Sequence, residues 1–142
     1  MKTTNDLLEI LNKTETDNNL ETYLDNIEKY RDNNFTDYFE SLRVKHGVKK
    51  SDIAHESGIS RTYCYQILNG TRKPGRDNLI ALCIASHFTF SETIRSLEML
   101  NLGILYPKNK RDSIIIYSIN RGLSVQETNE LLYNKQEATL SE

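Results

Sequence analysis

The sequence lacks any apolar run approaching the roughly 20 residues that a membrane span requires, and its opening stretch, MKTTNDLLEI, has no long apolar core of the signal-peptide kind. Both absences argue against a membrane protein and predict a cytoplasmic one. Cysteine is scarce: Cys64 and Cys83 stand 19 positions apart, and neither lies in a paired-thiol, haem or zinc spacing. They are expected as small core hydrophobes. His46, His55 and His87 fall in no ligand spacing with cysteines or carboxylates, so no metal is expected, and each histidine is read as an ordinary surface or core residue. There is no nucleophile elbow, no phosphate-cradling glycine loop and no paired-carboxylate constellation, so neither enzymatic activity nor a cofactor is expected.

Glycine and proline are also sparse. Six glycines and two prolines, Pro74 and Pro107, punctuate 142 residues, and apolar residues recur at intervals of three and four rather than two. Helix is therefore expected nearly throughout. An apolar content of 37%, with eight Tyr and four Phe, can bury a core, while 27% charge and a mean hydropathy of −0.59 predict a well-solvated surface. The length suits one domain with one core, or a small domain with helical extensions. Leu20, Tyr23, Leu24, Ile27 and Tyr30 make one amphipathic stripe, and Phe39 and Leu42 begin another after a cap expected at Thr36. Further helices are expected near 50–57, 61–69, 77–87, 91–101, 112–121 and 125–134. The β-branched run from Ser113 to Ile116 could pass for a buried strand, but helix is preferred there because of an internal repeat.

Charge is uneven along the chain. Residues 1–34 carry a net −4, residues 35–90 a net +3 and residues 91–142 a net −1. An acidic protein that gathers its surplus cations in its middle third offers a candidate polyanion-facing surface there. The same middle third holds the most informative motif, FESLRVKHGVKKSDIAHESGISRTYCYQILNGTRKPG from Phe39 to Gly75. One helix ends at Gly47, a second starts near Lys50, and Gly58 closes it before Ser60 caps a third. Ala54 and Gly58 are read as the small residues that closely crossing helices need, with Ile59 as an apolar plug. Cys64, Ile67 and Leu68 form the inward stripe of the third helix, which ends at Asn69-Gly70.

Over about residues 36–87 the chain resembles the XRE family, that of the lambda and 434 repressors and Cro. The resemblance rests on the spacing of Ala54, Gly58, Ile59 and Ser60 and on Ile67-x-Asn69-Gly70 followed by Arg72, Lys73 and Pro74. It implies a bundle of about five short helices with residues 61–69 lying in the major groove of double-stranded DNA. Carried over by position, Arg61, Thr62, Tyr65 and Gln66 would face bases, while Lys49, Lys50, Tyr63, Asn69, Arg72 and Lys73 would meet phosphates. Three positions depart from the family pattern: Lys49 replaces the usual Ser or Thr cap, Lys50 the usual Gln, and Leu68 a frequent acidic residue. The first two add positive charge; the third leaves open a partly protein-facing surface.

Helix physics points the same way without the family. Arg61, Lys49 and Lys50 sit at helix starts, where the dipole disfavours cations by roughly 0.3–1 kcal/mol each. A bound phosphate or guanine edge reverses that cost. Tyr63 and Tyr65 suit phosphate or thymine contact, or equally a protein-binding patch.

An internal repeat occupies the C-terminal half. At a shift of 35, residues 76–97 align with 111–132 with seven identities: Arg76/Arg111, Asp77/Asp112, Ile80/Ile115, Ile84/Ile119, Glu92/Glu127, Thr93/Thr128 and Leu97/Leu132. Each copy reads as an Asp-capped helix, a short turn and a second helix opened by a Thr or Ser capping box. The expected fold is all-α: a lambda-repressor-like bundle (35–90), an acidic N-terminal helical extension (1–34), and C-terminal helices (91–142) that include the second hairpin (111–134) stacked on the bundle. The N-terminal stripe is expected to pack on the bundle, with partner binding or dimerisation as alternatives.

Two functions are consistent with these readings. One is a DNA-binding transcription regulator of repressor type, acting as a homodimer. The other is a non-enzymatic adaptor or inhibitor that uses the scaffold, or its N- or C-terminal helices, to engage a protein.

Overall fold

In the computed structural model, residues 4–12 and 17–141 are described, and they form eight α-helices without a strand: α1 (Thr4–Asn12), α2 (Asp17–Lys45), α3 (Lys50–Ser57), α4 (Arg61–Leu68), α5 (Arg76–Ala85), α6 (Phe90–Met99), α7 (Lys110–Arg121) and α8 (Val125–Asn134). None of the described helices is long and apolar enough to cross a membrane. The all-helical expectation holds, including for Ser113 to Ile116, which lie within α7.

The bundle is organised around α5. Its sequence, RDNLIALCIA, is apolar on every side from Leu79 onward, and Leu79 through Ala85 are all buried. Against it lie α3 and α6, while α2 packs on α6 and α4. Phe35, Phe39 and Leu42 recur at helical spacing along α2 and are buried, with the Phe39 ring tilted against that of Phe88, centroids 4.7 Å apart. Cys83 sits wholly inside, where burial pushes its thiol up to about 12 against hydrogen bonds with Ser96 and Thr93. Burial raises the Cys64 thiol as well. Both cysteines are thus core residues, as the sequence predicts.

Thr36 does not open a helix. With no glycine or proline from residue 17 to residue 46, α2 runs unbroken through it, across the expected boundary at 34/35. The helix ends instead at Gly47, whose φ of +69° supports a Schellman exit: Val48 N–H donates to Arg43 O (3.1 Å) and Gly47 N–H to Val44 O (3.0 Å). Of the N-terminal stripe, Tyr23 is buried while Leu20 and Leu24 are exposed. The side chains of Ile27 and Tyr30 lie outside the described residues.

The second hairpin, α7–α8, stacks on the bundle. Helix α8 touches α3 and α5, α7 touches α6, and Ile115, Val125, Leu132 and Leu140 join the same apolar core as Ile80 and Leu97. Both copies carry a complete capping box, Thr89 with Glu92 and Ser124 with Glu127. The caps of the leading helices differ from the expectation. Asp77 and Asp112 lie in first turns, the N-cap positions being Gly75 and Asn109, and only Asn109 bonds through its side chain, accepting from Asp112 N–H. The reason is that both aspartates are engaged by arginine across the hairpins. Arg76 Nη2 reaches Asp112 Oδ2 at 2.9 Å, and Arg111 grips Asp77 with two bonds of 3.0 and 3.1 Å.

The correspondence continues past the second helix of each copy. Arg76 also donates to the carbonyls of Gly103 (2.7 Å) and Ile104 (3.1 Å), and Arg111 donates to those of Ala138 (2.8 Å) and Thr139 (3.0 Å), which stand 35 positions on. Leu105 and Leu140, again 35 apart, are both buried.

Candidate nucleic-acid interface

The α3–turn–α4 unit is shaped by a few local choices. Gly58 ends α3 with φ +76°. An added Cβ there would meet no atom within 4 Å, so the glycine is required by its left-handed backbone and not, as the sequence reading has it, by a close helix crossing. Ala54, 6% exposed, is the small residue inside the crossing. Ser57 Oγ accepts from Ile59 N–H, and Ser60 Oγ caps α4 by accepting from Tyr63 N–H at 3.3 Å.

One side of α4 is core: Cys64 and Ile67 are fully buried and Leu68 is 8% exposed. Leu68 therefore belongs to the bundle and offers no protein-facing surface. The other side carries the predicted base-facing residues. Arg61 and Thr62 are exposed, and Tyr63, Tyr65 and Gln66 are half-buried. Each tyrosine supports a guanidinium: Arg61 lies over the Tyr65 ring at 5.2 Å, one helical turn on, and Arg72 lies over Tyr63 at 5.6 Å, across the loop that follows α4. Both rings also pack on the core from outside. Stacking consumes no N–H donor, so the rings leave the hydrogen-bonding edges of both guanidiniums unspent.

The loop after α4 is tightly tied. Thr71 and Arg72 N–H both donate to Gln66 O (2.9 and 3.1 Å), and Asn69 Oδ1 accepts from Thr71 N–H at 2.9 Å. Asn69 thus spends its carbonyl on the turn. Gly70, at φ +85°, is needed for backbone and for space, since a Cβ would come within 3.2 Å of Thr36 Oγ1. Lys73 is exposed and Pro74 is buried.

At the other helix start, Lys49 occupies the N-cap of α3 without a side-chain cap, Lys50 follows, and both are exposed. The Arg43 side chain, bonded to Glu40, holds that carboxyl below its ordinary value; burial opposes this, and Lys50 adds a smaller downward pull. Arg43 also donates to Val48 O at 2.8 Å, fastening the turn that presents the two lysines. Arg61, Lys49 and Lys50 are thus all in solvent at helix starts, and none is buried against the acidic N-terminal segment.

A simpler charge signal accompanies the ten expected site residues. From Ser57 to Arg76 the chain contains Arg61, Arg72, Lys73 and Arg76 and no Asp or Glu. Counting acid-free windows instead of broad thirds isolates this stretch and adds Arg76, which the family pattern does not flag. Among the described residues no group of three or more His, Cys, Asp or Glu could hold a metal. His46 is instead paired with Glu92 at 2.9 Å, while His55 and His87 are exposed.

Comparison with known families and proteins agrees with this geometry. Residues 39–85 match the helix-turn-helix family model. No curated protein and no solved structure matches the chain. With α3 and α4 as its two signature helices, the segment 39–85 is similar to the helix-turn-helix domains of the XRE family, the lambda and 434 repressor type, a likeness that supports DNA binding in general terms.

Proposed function

We propose that this protein is a non-enzymatic, sequence-specific regulator of transcription that reads double-stranded DNA with α4 in the major groove. The observation that carries this reading is the outer side of α4: an acid-free face with Arg61 and Thr62 exposed, Gln66 beside them, and an arginine stacked on each tyrosine. Arg61 has the fork that fits O6 and N7 of guanine, and Gln66 the amide that fits N6 and N7 of adenine. Thr62 and Tyr65 supply flanking base contacts. Lys49, Lys50, Tyr63, Asn69, Arg72 and Lys73 hold the backbone on either side. One such module buries too little surface for tight binding, so the regulator acts as a cytoplasmic homodimer on two half-sites, repressing by occupation.

Selection of bound sequences from a random duplex pool tests the reading. An enriched half-site is expected, with affinity falling linearly on a log-log salt plot. Arg61→Ala and Gln66→Ala should each cost about 1–3 kcal/mol and relax preference at one base position. If no duplex binds at about 50 mM salt, where the electrostatic contribution is strong, the reading fails and a protein partner for the scaffold takes its place.

A further inference from the structure

A second basic segment flanks the first. From Met99 to Arg111 the chain carries Lys108, Lys110 and Arg111 and no acidic residue. Its start borders the loop that follows α4, and its middle borders the first residue of α5. At its start, Leu100 lines a small cleft with Arg72, Lys73 and Pro74. Farther on, Arg76 binds the carbonyls of Gly103 and Ile104 and the carboxylate of Asp112. The same Asp112 oxygen accepts from Tyr106 N–H at 3.0 Å, and Ser113 Oγ donates to Pro107 O at 2.7 Å. The segment is therefore held in one shape by the residue that ends the cationic stretch 57–76.

Its outward side chains suit a polyanion backbone. Tyr106 is 55% exposed, Lys108 is exposed with no partner among the described residues, and Asn109 caps α7. Lys110 is partly occupied, donating to Lys135 O with Glu137 3.9 Å away, and Arg111 is turned inward to Asp77. The available charge is thus Lys108. Within the internal repeat Lys108 stands 35 residues after Lys73, so each lysine precedes its Arg-Asp helix start by three positions.

We propose that the segment 103–110 is an accessory DNA contact, with Lys108 and the Tyr106 hydroxyl binding phosphates that flank the site read by α4. The proposal rests on the DNA-binding reading above. Phosphate contacts add affinity without sequence information, so this arm lengthens the footprint and leaves the recognised bases unchanged.

The test uses the full chain and the selected duplex in two lengths, one trimmed to the half-sites and one with several flanking base pairs on each side. Lys108→Ala should lower the slope of log K against log salt by about 0.9 and weaken selected and scrambled long duplexes equally, about five- to tenfold at low salt. Tyr106→Phe should weaken long-duplex binding by a smaller factor. On the trimmed duplex, wild type and Lys108→Ala should bind alike. Arg121→Ala removes a cation at the far end of α7 and should leave the slope unchanged. A wild-type slope in Lys108→Ala, or an equal wild-type advantage on both duplex lengths, overturns the accessory contact while the reading of α4 stands. If wild type binds no duplex, both fall.

Discussion

The segments 76–105 and 111–140 share several contacts at a shift of 35 residues, yet one is the centre of the molecule and the other its flank. In α5 seven consecutive residues are buried, whereas α7 buries only Asp112, Ile115 and Ser118 and leaves Tyr117 51% exposed. What the two share is local chemistry: a capping box, a threonine at its fourth position bonding back to the cap carbonyl, a leucine in the core, and an arginine that binds the trailing loop. What differs is how many neighbours surround the hairpin. Local bonds are therefore set by the sequence of each copy, and burial by its place in the bundle.

Four experiments can break or sharpen this comparison. Leu97→Ala and Leu132→Ala remove equivalent, fully buried side chains, and each should cost about 3 kcal/mol. Because both belong to one core, denaturation should remain a single cooperative transition in each variant. Separate early loss of residues 111–140 in Leu132→Ala, read by hydrogen exchange, would break the one-core view.

The arginine pair should respond unequally. Arg76→Ala leaves the buried carboxylate of Asp112 without its charge partner and should cost about 3 kcal/mol. Arg111→Ala leaves Asp77, whose side chain is 43% exposed, to water, so its cost should be about 1 kcal/mol. Equal losses in urea denaturation would show that burial does not separate the two pairs.

Removing the caps, Thr89→Ala or Ser124→Ala, should cost about 1 kcal/mol each by thermal denaturation. Among the described residues only the first box is joined to another element, through Lys45 at the end of α2 and His46 just after it, both on Glu92. Burial pushes the Glu92 carboxyl up, but bonds from Thr89 N–H and His46 pull it further down, so it ends below its ordinary 4.5. A carboxyl depressed in the fold stabilises above its unfolded value and loses that contribution as pH falls through the folded one. Glu92→Gln should therefore flatten the acid limb of stability below pH 4.5.

The smallest effects concern the exits of α5 and α7. His87 and Gly122 both stand in the left-handed region, at φ 62° and 69°. His87→Gly should gain about 0.5 kcal/mol and Gly122→His lose about 1 kcal/mol, with melting temperature as the readout.

Much of this was legible in the residues. The Ser/Thr-x-x-Glu boxes, the helix-ending glycines at 47, 58 and 70, and the inner stripe Cys64, Ile67 and Leu68 are short-range signals, and each lies where the pattern predicts. The misread points have other causes. Thr36 has a capping residue's chemistry but sits inside a helix that nothing in the sequence breaks. Asp77 and Asp112 are drawn away from capping by arginines 34 and 36 residues distant, a separation that periodicity cannot reveal. The exits at His87, Asn101 and Gln136 use no glycine, so no composition signal announces them. At the site, the family resemblance supplied the ten candidates, but the pairing of Arg61 with Tyr65 and Arg72 with Tyr63 depends on rotamers and on a loop crossing.

Those two stacked pairs bear on selectivity. A free arginine surrenders about 0.5–1.5 kcal/mol of rotational freedom when it is fixed at an interface. Here much of that ordering precedes any encounter, since each guanidinium already rests on a ring anchored in the core. The outer face of α4 consequently behaves as a stiff template. On the proposed DNA-binding reading, such a template discriminates by rejecting surfaces of the wrong shape, where a floppy array would adapt to many.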